Sequence, residues 1–150
     1  AAAVDFELVS PNDPVLGAPD EIYLDEAAPS GGLVAFVYGS RAGMPAGDDE
    51  RASIVFTQFA APLAPLEFFG KKLASDGTIV ELVEVNDNEG YWLEGEPHSF
   101  FYEVPGSGVF EERVRLVGNV LLWEQDGVTL RLEVGSLSLE RALEIARTID

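Results

Sequence analysis

The sequence contains no cysteine and a single histidine, His98. The lack of cysteine excludes disulfide bonds, thiol nucleophiles and thiolate metal ligands. With one histidine, the chain has no second imidazole with which to build a typical zinc site. No apolar run approaches the roughly 18 residues of a membrane-spanning helix, so no span is predicted in these residues. Disulfide scaffolds and cysteine-based enzymes are therefore removed from consideration.

Basic residues are also scarce. Nine Lys and Arg stand against 27 Asp and Glu, which gives a formal net charge of −18. A nucleic-acid-binding surface needs clustered Lys and Arg, so this balance argues against a nucleic-acid partner. It argues equally against adhesion to anionic lipid headgroups. We attribute the charge to solubility, with a surface for divalent cations or for a basic partner as the alternative.

Length and composition predict one globular domain over residues 1–150, since 47% of the residues are hydrophobic. The first residues lack the basic start and apolar stretch of a signal peptide. A cytosolic protein and a soluble domain excised from a longer protein are both compatible with this, and the abrupt start at Ala-Ala-Ala favours the excised domain slightly. Residues 1–20 are the candidate for a loosely packed arm, although residues 4–9 alternate apolar and acidic side chains as an opening strand would.

The strongest local pattern is a hairpin in the second half of the chain. Two apolar runs flank Asp126-Gly127, a pair that favours a two-residue type I′ turn because both turn positions need positive φ. This turn sets one face of the ribbon, with the pairs Gln125–Val128, Trp123–Leu130 and Leu121–Leu132. The other face then carries the pairs Glu124–Thr129 and Leu122–Arg131. We expect the first face to be core and the second to be half exposed.

Further apolar and β-branched runs predict additional strands. They cover residues 22–24, 33–38, 53–59, 78–85, 90–94, 99–103 and 110–116. A short helix is predicted over 66–73. Residues 86–89 are predicted to be a turn.

A helix is predicted after Ser138, a good N-cap residue. Its apolar stripe comprises Leu139, Ala142, Leu143, Ala146 and Ile149, and its water-facing residues are Glu140, Arg141, Glu144 and Arg147. The predicted fold class is α+β, with a largely antiparallel, curved β-sheet of about seven to nine strands and the C-terminal helix packed on one face.

Several stretches carry a family resemblance. They are residues 90–98, which read Gly-Tyr-Trp-Leu-Glu-Gly-Glu-Pro-His, together with residues 16–19, 115–124, 129–133 and 142–146. In these the chain resembles an uncharacterised extracytoplasmic domain of Gram-positive and related bacteria. That domain typically forms the C-terminal, outside-facing part of membrane-anchored proteins, some of them anti-sigma-factor-like. The chain is more weakly similar to the curved half-barrel sheets of lipoprotein-carrier-like proteins. The resemblance implies an extracytoplasmic location in a membrane-anchored protein, and it assigns no catalytic role to any residue.

The histidine and its aromatic neighbours form the candidate surface. Large aromatic side chains usually belong to the core. Residues 100–102 are aromatic at successive positions, however, so one face of that strand must meet a second layer, a ligand or a partner. We predict a ligand or partner surface formed by Tyr91, Trp92, His98, Phe100 and Tyr102. The alternative is that the aromatic side chains are buried in the core.

Other motifs predict no chemistry. Residues 106–108 (Gly-Ser-Gly) lack the pattern of a nucleophile elbow. Residues 86–90 differ from a calcium loop, because the glycine comes one position early and Pro97 stands where the bidentate glutamate belongs. The acidic residues 48–50 are predicted to be a solvated loop. Arg131 is predicted to form a structural ion pair with Glu124 or Glu133. No cofactor and no metal is predicted.

Three functions remain open. The leading hypothesis is a non-enzymatic extracytoplasmic domain that senses or binds something, or docks a protein partner, in a bacterial membrane-linked protein. The second is a carrier of an apolar small molecule on a concave sheet, which requires a cavity of roughly 300 Å³ or more. The third is a carboxylate-based hydrolase, which requires two carboxylates about 5–10 Å apart in a cleft.

Overall fold

The computed structural model describes residues 4–26, 31–44, 53–60, 79–94, 99–104, 108–113 and 118–150, with backbone alone for 99–104 and 108–113. Its strands are β1 (Glu21–Asp25), β2 (Leu33–Tyr38), β3 (Ile54–Phe59), β4 (Ile79–Val85), β5 (Asn88–Glu94), β6 (Ser99–Val104), β7 (Gly108–Arg113), β8 (Asn119–Gln125) and β9 (Val128–Gly135). One helix, α1 (Leu139–Ala146), follows them. The predicted helix at 66–73 lies outside the described residues.

Seven strands form one open sheet in the order β1-β2-β3-β9-β8-β5-β4, and every neighbouring pair is antiparallel. Strands β6 and β7 pair with each other as a separate antiparallel ribbon. The predicted fold class is confirmed: the protein is α+β, with a curved antiparallel sheet and a C-terminal helix. Strands were expected at all nine places, but β7 begins at Gly108 instead of residue 110.

The central ribbon has the predicted register. Strands β8 and β9 pair Trp123 with Leu130 and Leu122 with Arg131. Asp126 and Gly127 have φ values of 53° and 79°, as a type I′ turn requires. The predicted half-exposed face is wrong, because Leu122 and Arg131 are only 0% and 6% exposed. The ribbon lies in the middle of the sheet, with β3 on one side and β5 on the other. Side chains on both of its faces are buried.

A second two-residue turn joins β4 to β5. Asn86 and Asp87 both have positive φ, at 48° and 64°, so the turn is shorter than the predicted 86–89 and β5 begins at Asn88. The Asn86 side chain is turned towards the helix, where its Nδ2 donates to the carbonyl oxygen of Ile149 at 3.0 Å. The turn therefore supplies a donor to carbonyl groups just beyond the end of α1.

The hydrophobic core lies on one face of the sheet, which we call the core face. Neighbouring strands contribute one cross-sheet row to it, consisting of Phe36, Phe56, Leu132, Leu121 and Trp92. Gly90 lets β5 approach β8 closely, since a Cβ there would lie 2.7 Å from the carbonyl oxygen of Leu122. The opposite face, which we call the second face, carries the row Thr57, Arg131, Leu122 and Tyr91.

Helix α1 packs against the core face. Ser138 caps it as predicted, because its Oγ accepts a hydrogen bond from the Arg141 backbone N–H at 3.3 Å. The helix buries Ala142, Ile145 and Ala146, whereas the predicted stripe omits Ile145 and treats Leu143, which is half-buried, as a core residue. Ile149, the last residue of the predicted stripe, lies beyond the end of the helix and is buried in the core.

The N-terminal segment lies on the core without joining the sheet. The predicted opening strand at 4–9 is wrong, because the Gln58 side chain takes the place of a partner strand: it accepts from the Val9 N–H at 3.0 Å and donates to the Val9 carbonyl at 2.9 Å. Val4 and Leu16 belong to the core cluster and are 7% and 1% exposed. The described part of the predicted arm at 1–20 therefore contacts the core through Val4 and Leu16.

Candidate functional site

Tyr91 and Trp92, two of the predicted surface residues, are neighbours on β5, so their side chains lie on opposite faces of the sheet. Trp92 is on the core face, 1% exposed, and its Nε1 donates to Glu94 Oε1 at 2.6 Å. Tyr91 is on the second face and 5% exposed. Burial, followed by the Glu89 carboxylate, raises the pKa of the Tyr91 hydroxyl. Both side chains thus lie in the interior.

The other three predicted residues come from the region around β6. Phe100 and Tyr102 lie on β6, where their backbone partners are Glu112 and Phe110 of β7. His98 lies outside the described residues. A common surface for all five residues therefore stays a prediction.

A polar cluster lies at the centre of the second face. It consists of Thr57, Arg131 and Glu133, which are 1%, 6% and 2% exposed. The register places Thr57 of β3 beside Arg131 of β9, and Arg131 Nη2 donates to Thr57 Oγ1 at 3.4 Å. Glu133 follows Arg131 by two residues on β9, and its Oε1 lies 3.5 Å from Arg131 Nε. The predicted ion pair between Arg131 and Glu133 is confirmed.

We assign a structural role to this cluster. Arg131 places its guanidinium between the Thr57 hydroxyl on β3 and the Glu133 carboxylate on β9. Removing one member of a buried pair leaves the other charge uncompensated, which is strongly destabilising. The alternation of polar residues along β9 is visible in the sequence, where it predicts a half-exposed face. The sequence does not show that the β8–β9 ribbon lies between β3 and β5, because both strands are distant from it in sequence. We therefore infer that the cluster stabilises the register of β3 against β9.

A second buried contact ties the N-terminal segment to α1. Arg141 lies half-buried instead of in water as predicted, and its Nη1 and Nη2 donate to the Asp13 carboxylate at 2.8 Å and 2.9 Å. Asp13 Oδ1 also accepts from the backbone N–H groups of Val15 and Leu16, each at 3.0 Å. Burial alone would raise the pKa of Asp13, but the hydrogen bond from Arg141 and those from the two amides hold the pKa of the carboxyl below its usual value.

Five of the exposed large apolar side chains lie at the two edges of the sheet, and two others, Leu8 and Val15, lie in the N-terminal segment. On β1, Ile22, Tyr23 and Leu24 are 63%, 56% and 44% exposed. On β4, at the opposite edge, Ile79 and Leu82 are 61% and 52% exposed. All five residues of β1 are exposed, whereas β4 also contains half-buried and buried positions. We call the strand Glu21–Asp25 the β1 edge.

The β1 edge is surrounded by negative charge. Glu21 and Asp25 lie at its ends, Glu26 follows it, and the Tyr23 hydroxyl donates to the Glu21 carboxylate. Asp20 precedes it and forms an ion pair with Arg41 at 2.8 Å. Hydrogen bonds from the Gly39 N–H and from Arg41 lower the pKa of Asp20. Glu21, Asp25 and Glu26 are exposed, so acidic residues flank the apolar strip of the β1 edge.

Among the described residues, no three His, Asp or Glu side chains group in a way that could hold a metal ion. None of the helices in these residues has the length and apolar character needed to cross a membrane. Comparison of the chain with models of protein families, with curated proteins and with solved structures found no match.

Proposed function

We propose that this chain is a non-enzymatic domain that binds a protein partner in a bacterial membrane-linked protein, outside the cytoplasm. The observation that carries the binding role is the β1 edge, where three successive large apolar side chains remain exposed although both central faces of the sheet are buried. The location and the bacterial source rest on the family resemblance of the sequence alone.

Exposed edges support a binding role for a physical reason. An edge strand presents unpaired backbone N–H and C=O groups, and natural sheets usually protect them by bulges, prolines, charges or a covering element. An apolar strip on such a strand adds an unfavourable contact with water, and uncovered apolar patches often mark interaction surfaces. Ile22 and Leu24 do not belong to the core, since both are largely exposed. A bound partner would bury them.

Native mass spectrometry tests the proposal on protein isolated gently from its own cell envelope. The comparison is between the natural chain and a variant that carries Ile22→Thr together with Ile79→Thr, one exposed apolar residue from each edge. We expect a stoichiometric protein partner on the natural chain and a severalfold lower bound fraction on the variant, because apolar burial at the edges is lost.

Two results would contradict the proposal. A natural chain that is bare in repeated preparations would remove the partner. A reproducible extra mass of roughly a few hundred daltons, unchanged in the variant, would favour the small-molecule carrier instead. Circular dichroism of the variant serves as the control, since both substitutions are at exposed positions and should leave the fold intact.

A further inference from the structure

We propose that β4 accepts an added antiparallel strand from a basic partner protein, in which two Lys or Arg residues enclose a pair of apolar residues. We call the strand Ile79–Val85 the β4 edge. The inference rests on the proposed function, since it places one contact with the partner and names the chemistry of the contacting segment. Strand addition is a known mode of recognition, in which backbone hydrogen bonds provide affinity and side chains provide specificity.

The β4 edge is long and regular. Among the described strands it pairs with β5 alone, without a bulge, from Ile79 opposite Glu94 to Val85 opposite Asn88. Its sequence contains no proline and no lysine. Natural sheets use bulges, prolines and charged side chains, lysine above all, to keep other strands away from an edge. Of these devices, β4 has only the charges of its two glutamates.

The exposed side chains of β4 are apolar and acidic on both faces of the sheet. Ile79 and Leu82 are 61% and 52% exposed, and Glu81 and Glu84 are exposed as well. Glu81 lies opposite Trp92, which places Glu81 and Ile79 on the core face. Leu82 and Glu84 alternate with them and lie on the second face. An incoming strand therefore meets one exposed apolar side chain and one carboxylate on each face.

The order of these side chains sets the spacing of charges in the partner. Residues 81–84 read Glu-Leu-Val-Glu. An antiparallel strand with a cation on either side of two apolar residues brings one cation opposite Glu81 and the other opposite Glu84. Cross-strand pairs of opposite charge stabilise a sheet. Cations only two positions apart would lie on the same face, so they could match only one of the two carboxylates.

Glu84 has a further reason to favour a cation. Its cross-strand neighbour on β5 is Glu89, and both side chains are exposed. Like charges directly opposite each other destabilise a sheet. A Lys or Arg of an added strand would lie on the other side of Glu84 and offset this repulsion.

The β4–β5 hairpin is held in place before any partner binds. The Asn86 side chain, in its turn, donates to the carbonyl oxygens of Ile149 at 3.0 Å and Ala146 at 3.4 Å. Val83 packs against the hydrophobic core. A contact surface that is already ordered loses less conformational entropy on binding, which favours affinity.

A second copy of this chain fits the edge poorly. The β4 edge contains no Lys or Arg, so pairing two such edges leaves all four glutamates without a cation from the other strand. Each copy also carries a formal charge of −18, which adds long-range repulsion. The carboxylates thus act against self-association and in favour of a cationic strand.

Titration of the whole chain with the capped peptide Thr-Lys-Val-Val-Lys-Thr tests strand addition. Nuclear magnetic resonance of the backbone amides locates the binding site, and we expect shifts on β4 and β5. Hydrogen exchange should slow at alternate amides of β4, because alternate N–H groups of an edge strand point away from its single neighbour.

Two control peptides separate strand addition from general attraction to an acidic protein. The peptide Thr-Lys-Val-Lys-Val-Thr has the same composition, but both lysines lie on one face, so we expect about fivefold weaker binding. Replacing both valines of the first peptide by proline should abolish binding. Successive backbone N–H groups of a strand point to opposite sides, so one of the two lost donors must face β4.

A matched pair of variants tests the carboxylates. One carries Glu81→Lys and Glu84→Lys on the β4 edge, and the other carries Glu7→Lys and Glu26→Lys, both at exposed positions outside β4. The two variants change the net charge equally. The β4 variant should prefer the charge-reversed peptide Thr-Glu-Val-Val-Glu-Thr, whereas the other variant should keep the preference for the lysine peptide.

Four results would contradict the inference. Equal binding of the two lysine peptides, shifts away from β4, or equal losses of binding in both variants would overturn strand addition at this edge. A dimer that forms through β4 with rising protein concentration would overturn the choice of a basic partner.

The β4 variant also separates this inference from the proposed function. If a cell-envelope partner remains bound to the Glu81→Lys, Glu84→Lys chain, the partner-binding function stands and strand addition at β4 is wrong. If the natural chain is bare after isolation but binds the lysine peptide at β4, the edge is confirmed as a strand acceptor and the proposed function loses its support.

Discussion

At the scale of single residues, Tyr38 carries a hydroxyl that the fold does not use. The side chain is 0% exposed, and its Oη has no hydrogen-bond partner among the described residues. Burying an unpaired polar group is unfavourable, so we expect Tyr38→Phe to raise the free energy of unfolding by about 1 kcal/mol. Urea unfolding at neutral pH, followed by tryptophan fluorescence, measures the difference. A destabilised variant would mean that the hydroxyl has a partner.

Alkaline pH provides an independent check on the same residue. Burial raises the pKa of Tyr38 to about 12, from 10.0 in an unfolded chain, against the opposing influence of Arg41. The unfolded chain therefore loses this proton first, and the contribution to stability declines as pH rises from 10 towards 12. Tyr38→Phe lacks this decline, so its advantage over the natural chain should grow across that interval.

At the scale of elements, Asp13 and Arg141 join the N-terminal segment to α1. Their side chains are 5% and 24% exposed, and two hydrogen bonds link them. We expect Asp13→Asn to lower the free energy of unfolding by about 2–3 kcal/mol, because charge-assisted hydrogen bonds are lost in a largely buried setting. Glu144→Gln is the matched control. Glu144 lies 3.1 Å from the same guanidinium but is 56% exposed, so its loss should matter little.

The pH dependence of this contact has a definite sign. The pKa of Asp13 in the folded chain is below its usual value of 3.8. The carboxylate therefore stabilises the fold fully above pH 3.8, and the contribution is lost as pH falls through the lower folded pKa. The difference in stability between the natural chain and Asp13→Asn should therefore shrink as pH falls below 3.8. A difference that stays constant as the pH falls below 3.8 would show that the ion pair is not the cause.

Elements with local chemical signals could be predicted from the sequence. Asp126-Gly127 fixes a turn and hence a register, and Ser138 fixes the start of a helix. The contact between Asp13 and Arg141, which are 128 residues apart, has no such signal. The strand at 22–24 was predictable, but its exposure was not, because exposure depends on the position of β1 in the strand order. The position of β5 in the strand order was equally hidden, so the predicted ligand or partner surface includes Tyr91 and Trp92, which are buried.

At the scale of the whole molecule, charge opposes folding. The formal net charge is −18, and a compact chain brings these like charges closer than an unfolded one. Raising NaCl from 0.05 M to 0.5 M should therefore increase stability by about 1 kcal/mol, which corresponds to about 3 °C in Tm. Differential scanning calorimetry measures the change. A fall in Tm would mean that attractive ion pairs outweigh the repulsion.

Calcium chloride at equal ionic strength distinguishes screening from specific binding. The charge pattern left a divalent-cation surface open as an alternative to solubility. Equal shifts for the two salts would support screening, whereas a larger shift at millimolar calcium would indicate a bound cation.

The strand order also governs when the sheet can form. Strand β3 pairs with β9, and Arg131 reaches Thr57 across 74 residues of sequence. Antiparallel sheets with such distant pairings have high contact order and fold slowly, because long loops must close before their contacts contribute. The β8–β9 hairpin, whose turn is local, can form early and serve as a template. During synthesis, the edge of β3 that pairs with β9 stays without its neighbour until β9 has emerged. Unpaired strand edges of this kind make a partly folded chain prone to aggregation.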